Sequence, residues 1–188
     1  MSRRLPFLEG KMVILRPLME DDVSGAYLEW LNDAETCAGN SHHVFPYTEE
    51  AALEYVRNTR RSRSELALAI ELKDSSQHVG NVTLQGIHPV YRSAEYAILI
   101  GDPAARGQGI AFEASSLLLA HGFRELHLHR IYCGTFHTNT AMARLAARLG
   151  MREEGRRREA VFKGGQWLDV VEFGVLSKEF EQLHAHGV

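Results

Sequence analysis

The sequence predicts an α/β fold in which helices cover both faces of a mixed β-sheet. Three observations carry this expectation. Segments of strand character outnumber the helices available to cross between parallel strands. Several neighbouring strands are separated only by hairpin turns. The helical segments show apolar positions at helical spacing, as in Asn139–Leu149, where Met142, Leu145, Ala146 and Leu149 share one side.

In chain order, Met12–Arg16 reads as a short strand and Glu20–Leu31 as a helix, with Asp21 and Asp22 near its positive end. An irregular polar stretch follows from Asn32 to Tyr47. Thr48 then caps a helix that opens with Glu49-Glu50-Ala51 and runs to about Arg61. Glu65–Leu72 and His78–Ile87 are strands joined by the turn Lys73-Asp74-Ser75-Ser76. Ala94–Ile100 is an apolar strand that Asp102-Pro103 breaks. Gly109–Glu125 is a helix apolar on several sides, so it is expected to be largely buried. His129–Phe136 is a strand, Asn139–Leu149 a helix stopped by Gly150, and two last strands flank the hairpin turn Gly164-Gly165. Ser177–His184 reads as a terminal helix.

The bulk properties set limits. A chain of 188 residues, 45% hydrophobic and 24% charged, is expected to form one domain with one real core, spanning 1–188 and centred on residues 11–176. The 21 Lys and Arg against 24 Asp and Glu give a net charge of −3, which argues against a nucleic-acid partner. No run of apolar residues is long enough to cross a membrane, and Met1–Pro6 carries charge without an apolar run behind it, so a cytoplasmic protein is expected. Cys37 and Cys133 alone supply neither a disulfide framework nor a paired metal spacing. His127 and His129 would share one strand face, but no carboxylate or cysteine is spaced to complete a site, so no metal is expected.

The strongest local feature follows the strand Glu95–Ile100. After Gly101-Asp102-Pro103-Ala104-Ala105 comes Arg106-Gly107-Gln108-Gly109-Ile110-Ala111, at the start of a helix. Glycines let consecutive N–H groups converge, and a helix start adds unpaired donors and a positive dipole end, so the segment suits a multiply phosphorylated anion. No Gly-Lys-Ser/Thr is present, which excludes a P-loop. Phe112 stands where a dinucleotide fingerprint needs its third glycine. A tight turn with no ligand remains the alternative.

Arg106, Gly109 and Ala111 match the Arg/Gln-x-x-Gly-x-Gly/Ala pattern of the GNAT superfamily of acetyl-CoA-dependent acyltransferases. Downstream, Asn139 and the helix ending Leu149-Gly150-Met151 resemble that family's second element. The order of elements fits from about Lys11 to Leu176, and the chain looks closest to the RimJ/RimL-like branch. The resemblance implies a mostly antiparallel sheet and acetyl-CoA as co-substrate without a metal. It also implies a V-shaped opening between Glu95–Ile100 and Arg130–Phe136 that takes the pantetheine arm.

By the same resemblance, Arg106, Gly107, Gln108, Gly109, Ile110 and Ala111 hold phosphates, and Asn139 contacts the coenzyme arm besides capping its helix. Backbone N–H groups of Ile98, Leu99 and Ile100 polarise the thioester carbonyl. Transfer to an amine also needs a base. Glu95, 11 residues before Arg106, stands where several relatives carry a catalytic glutamate; the alternative is a solvating carboxylate or one paired with Arg92. Relatives often place an acidic Tyr where this chain has Ala146, and Met142 replaces a frequent Ser, so no general acid carries over; Tyr132 and His137 lie nearby without matching one. Arg144 and Arg148 lie opposite the apolar helix face and either reach the coenzyme's outer phosphate or are simply solvated.

For the acceptor, Tyr27–Asp33 resembles sugar-modifying members, and the loop Asn40–Tyr47 offers Asn, His and Tyr side chains suited to hydroxyls. Glu49, Glu50 and Glu54 form only a loose cluster for a polyamine. The expected acceptor is a small-molecule amine such as a nucleotide-linked amino sugar. The alternatives are the N-terminus of a ribosomal protein, or no turnover at all in an acetyl-CoA-binding module. Trp167, Val171, Phe173 and Val175 form an apolar strand face that either pairs two subunits as a homodimer or covers this chain's own helix.

Overall fold

A computed structural model describes residues 5–184; Met1–Arg4 of the charged N-terminus and the last four residues lie outside them. Eight strands form one sheet: β1 (Leu8–Glu9), β2 (Val13–Pro17), β3 (Glu65–Leu72), β4 (His78–His88), β5 (Ser93–Ile100), β6 (Arg130–Phe136), β7 (Arg152–Lys163) and β8 (Gln166–Leu176). Their spatial order is β1-β2-β3-β4-β5-β6-β8-β7. Only β5 and β6 run parallel; the other neighbours are antiparallel. The two-residue strand β1 is the one strand that the sequence pattern does not signal.

The side-chain alternation of β3 shows why helices are needed on both faces. Leu68 and Ile70 join the larger core, which is built with Leu118 and Leu119 of α4 (Ile110–Arg124), Ala146 of α5 (Thr140–Arg148) and Phe180 of α6 (Ser177–His184). Ala67 and Ala69 point the other way, into a core of Tyr27, Trp30, Leu31, Ala52 and Val56. These come from the first helical segments and from α3 (Glu49–Thr59), which Thr48 caps by accepting a bond from the Ala51 amide.

The helix expected over Glu20–Leu31 is interrupted. It starts as α1 (Glu20–Asp22), widens into a π-helical segment at Val23–Tyr27, and ends as α2 (Leu28–Asn32). Gly25 leaves helical geometry inside that segment, at φ −99° and ψ −156°. The widening is a local insertion into the helical hydrogen-bond ladder, which propensity alone does not signal.

The apolar face of β8 resolves the alternative left by the sequence. Strand β8 is interior, between β6 and β7, and Val171, Phe173 and Val175 join the core that α4, α5 and α6 cover. They cover this chain's own helices and are not available to pair a second subunit. Trp167 alone stays 60% exposed, edge-on to Phe162 across the hairpin.

A buried ion network fixes α1 to the sheet. Arg16, 1% exposed, donates twice to Asp22 at 2.8 Å and once to Glu71 at 2.7 Å. Asp22 also accepts from the Met19 amide at 2.8 Å. Burial alone would push the Asp22 carboxyl up. The Arg16 and Met19 donors and the nearby His78 outweigh burial and hold it below the usual carboxylate value.

Asp22→Ala would leave the Arg16 guanidinium buried beside one remaining acid. We expect a loss of about 3–5 kcal/mol at pH 7, measured by urea unfolding. Because the folded pKa of Asp22 is depressed, its contribution is fully present above the unfolded value near ~3.9 and is lost as pH falls through the folded value. Between pH 6 and 3 the wild type should therefore lose more stability than the variant; parallel pH curves would show that Asp22 is not linked in this way.

Candidate active site

Strands β5 and β6 pair over only three positions, Ser93↔Arg130, Ala94↔Ile131 and Glu95↔Tyr132. Beyond them, Ala97 to Ile100 pair with β4 alone and Cys133 to Phe136 pair with β8 alone. The sheet is therefore split into a V whose apex is the Glu95–Tyr132 pair. The Arg92 carbonyl accepts from the Arg130 amide on the β6 side, whereas the Gly101 amide donates to Val79 on the β4 side. Main-chain direction alternates along a strand. Ile98 and Ile100 therefore turn their N–H and C=O groups into the V, and Leu99 turns its own toward β4. Of the three residues expected to polarise a carbonyl, Ile98 and Ile100 have that geometry, and Leu99 instead packs its side chain with the α1–α3 core.

The phosphate turn closes the wide end of the V. Gly107 and Gly109 have φ of +76° and +85°, left-handed values that side chains rarely adopt. Gly109 is the N-cap of α4, with no side chain capping the helix. The first amides of α4, at Ile110 and Ala111, lack intrahelical acceptors and stay available to an anion. A Cβ at Gly107 would meet nothing within 4 Å, so that turn faces open space. The donor set and its dipole fit a pyrophosphate.

The motif arginine itself is spent elsewhere. Arg106 donates to the carbonyls of Ile100 at 3.1 Å and Gly101 at 3.2 Å and to the Thr36 hydroxyl at 3.0 Å. It ties off the end of β5 and fastens the loop before α3. Gln108 donates through its side chain to the Ala104 carbonyl, bracing the turn from within. Gly101 is required by another neighbour: a Cβ there would lie 1.8 Å from the Trp30 ring.

Asn139 is used at both ends of its amide. Its Oδ1 accepts from the Met142 amide at 3.1 Å, capping α5, and its Nδ2 donates to the Gly39 carbonyl at 3.3 Å. It thus joins the second sequence element to the loop between α2 and α3. Two other clamps hold that loop. Asn32 bonds the Tyr47 carbonyl and amide at 2.8 and 2.9 Å, and Lys163 at the β7–β8 tip donates to the carbonyls of Asn40 and His42 at 2.7 and 2.6 Å. Burial and the Lys163 charge push the His42 imidazole down. Phe45 projects outward, 82% exposed, while Tyr47 is half-buried.

Glu95 is half-buried at the apex and forms no hydrogen bond or ion pair with a described residue. Arg92, its sequence-level alternative partner, bonds the His127 carbonyl instead. Directly opposite residues share a face. The row Glu65, Gln85, Glu95 and Tyr132 therefore crosses the sheet on the side covered by α3. Tyr55 of α3 donates to Glu65 at 2.7 Å. Glu172 of β8 lies on the same side, opposite Gly134, and accepts from Arg157 at 2.6 Å. Burial, then the charges of Glu95 and Glu172, push the Cys133 thiol beneath them up to about 12. Burial and neighbouring Tyr47 and Tyr55 also raise the Tyr27 phenol.

Tyr55, Glu65, Glu172 and Lys163 were not singled out from sequence. The period-2 placement of Glu65 and Glu172 on their strands was the available signal. Glu49, Glu50 and Glu54 are exposed on α3. His127 and His129 precede β6 instead of lying on it, and no group of metal-ligating side chains occurs among the described residues. No described helix is long and apolar enough to cross a membrane.

Residues 12–152 match the family model of the acetyltransferase (GNAT) domain. Among solved structures, the fold is similar to spermidine N-acetyltransferase from Vibrio cholerae in complex with CoA and spermine, with a TM-score of 0.81, 25% identity, and coverage of 90% of this chain and 98% of that one. It is also similar to Mycobacterium smegmatis RimJ in complex with CoA-disulfide, with a TM-score of 0.81, 25% identity, and coverage of 93% and 86%. The sequence is 26% identical over 132 residues to the [ribosomal protein uS5]-alanine N-acetyltransferase of Escherichia coli, covering 69% of this chain and 66% of that protein.

Replacing Gly109 by Val puts a branched side chain at a left-handed position in the phosphate turn. Coenzyme A affinity should fall about tenfold to a hundredfold, since backbone donors at a helix start are displaced. Calorimetry on a folded Gly109→Val protein with unchanged affinity would remove the turn from the binding site.

Proposed function

Because the chain belongs to the GNAT family of N-acetyltransferases, with RimJ among its structural neighbours, we propose that it moves the acetyl group of acetyl-CoA directly to the primary amine of a small molecule, with Glu95 as the base. The single observation that carries this reading is the unpaired, half-buried Glu95 carboxylate at the apex of the V. A carboxylate there must meet either water or a cation, and an incoming ammonium is such a cation.

Glu95 takes a proton from the ammonium, directly or through one water. The neutral nitrogen attacks the thioester carbonyl carbon, and the oxygen that gains charge lies against the Ile98 amide. The C–S bond then breaks, the sulfur leaves as thiolate, and the nitrogen gives up its second proton, through solvent, to that thiolate as the neutral amide forms. A thiol of pKa near ~8.5 leaves as thiolate far more readily than an amine leaves as its anion. Ala146, fully buried on α5, supplies no acid, and none is required for departure in this order.

The acceptor side favours one positive charge over several. Glu65 accepts from Tyr55 and Glu172 pairs with Arg157, so Glu95 alone remains without a partner in that set. The remaining groups on that face are neutral: the partly exposed hydroxyls of Tyr47 and Tyr132, and the amide of Gln85. Neutral donors and acceptors suit sugar hydroxyls. An amino group on a nucleotide-linked sugar is therefore the favoured acceptor, ahead of a polyamine. The exposed Phe45 and Val44 at the loop rim favour a second reading, a protein N-terminus docked across that rim.

Glu95→Gln should lower kcat by about 10²- to 10⁴-fold while leaving coenzyme A affinity within about twofold. Coenzyme release, screened against amino sugars, spermidine, aminoglycosides and short peptides, decides the acceptor. A kcat/KM for spermidine or a peptide far above every amino sugar would overturn the sugar reading, and an unchanged kcat in Glu95→Gln would remove Glu95 as base.

A further inference from the structure

We propose that Arg148 reads the 3′-phosphate of coenzyme A, the phosphomonoester that distinguishes the coenzyme from its dephospho form, from a platform made by Phe112. This rests on the reading that Gly107–Ala111 hold the pyrophosphate. The Arg148 guanidinium carbon sits 4.2 Å from the centroid of the Phe112 ring. Phe112 is the third residue of α4, immediately after Ile110 and Ala111 of the phosphate turn. An arginine on α5 is thereby held beside the anion-binding end of α4.

The held geometry leaves the ligand-binding edges open. A guanidinium laid on a ring uses its face, and its N–H donors stay in the plane, directed outward. Arg148 is exposed, and no carboxylate lies within ion-pair distance of it among the described residues. Arg16, Arg57, Arg130, Arg152, Arg156 and Arg157 each have such a partner. One turn earlier, Arg144 is exposed on the same helix and donates to the Thr140 hydroxyl at 3.3 Å. The only acid in the first turn of α4, Glu113, accepts from the amides of Lys11 and Met12. Arg144 and Arg148 of α5 thus stand beside that end of α4 with no carboxylate partner among the described residues. Phe112 also gains a positive role: the side chain that rules out a dinucleotide turn supports the cation that a 3′-phosphorylated ligand needs.

A solvated arginine near the C-terminus of α5 would be stabilised by the helix dipole alone, and this plainer role makes a different prediction. Calorimetry would measure the affinities of coenzyme A and 3′-dephospho-coenzyme A for the wild type, Arg148→Ala, Arg148→Lys and Phe112→Leu. The wild type should prefer coenzyme A by about three- to thirtyfold at low salt, as a charge-assisted phosphate contact at an exposed site allows, with the preference shrinking as salt rises. Arg148→Ala should abolish most of that preference by weakening coenzyme A and leaving the dephospho form unchanged. Arg148→Lys should keep part of it, and Phe112→Leu should reduce it. The same preference in wild type and Arg148→Ala overturns the proposal while the pyrophosphate reading stands. Failure of the wild type to bind either form overturns both.

Discussion

A sheet that stops pairing partway across leaves main-chain groups that something else must satisfy, and the rest of this molecule is arranged around that constraint. Strands β5 and β6 share three paired positions and then take different partners. Every peptide group of Ile98 and Ile100 that faces the gap loses its ladder partner. One of these debts is met inside the chain, by Arg106 at the Ile100 carbonyl. The amides of Ile98 and Ile100 remain as donors in a row, on the floor of a cleft whose far end is an uncapped helix. An extended acyl carrier with an amide-rich arm and a phosphate end has the complementary pattern. The split therefore supplies both the space and the hydrogen-bonding demand for the ligand.

The parts of the scaffold that look purely structural serve to keep this gap from closing or shifting. The buried Arg16–Asp22–Glu71 network joins β2 and β3 to the start of α1. The chain then widens through Val23–Tyr27 and brings Trp30 against Gly101, where no side chain would fit. Gly101 follows β5 directly, so the α1–α3 side that carries this network also bears, through Trp30, on the residue that leads into the phosphate turn. On the acceptor side, Asn139, Asn32 and Lys163 fasten the same loop to α5, to α2 and to the β7–β8 tip. Each clamp uses loop backbone groups, so the loop is held without spending the side chains of His42 or Tyr47 on that task.

Much of this was readable in the residues, and what was not has identifiable causes. The strand β3, the hairpin Gly164-Gly165, the Thr48 cap and the Asn139 cap follow local rules, and they stand where those rules put them. The π-helical widening and the two-residue β1 depend on tertiary packing and have no local signature. For the candidate site, the family resemblance pointed to Glu95 and to the motif glycines, whose positions are set along one strand and one turn. The destination of a long side chain is not set that way. Arg106 sits in the motif yet turns back to β5, while Arg148, outside it, lies against Phe112. Likewise Glu65 and Glu172, 107 positions apart in the chain, share one face with Glu95 only because the three strands between β3 and β8 hold a fixed register.

The allocation of charge ties these levels together. Most acids near the V are already matched: Glu65 to a tyrosine, Glu172 to Arg157, Glu113 to two amides. Most arginines near it are matched as well. The groups left over are one carboxylate at the apex and, at the mouth, Arg144 and Arg148 of α5. If Glu95 is the base proposed above, its carboxylate attracts the ammonium and, once the amine is acetylated, faces a neutral amide. The mouth keeps its attraction for phosphates throughout, since nothing there changes charge during transfer. On that reading, the charge at the apex changes during transfer while the charge at the mouth does not.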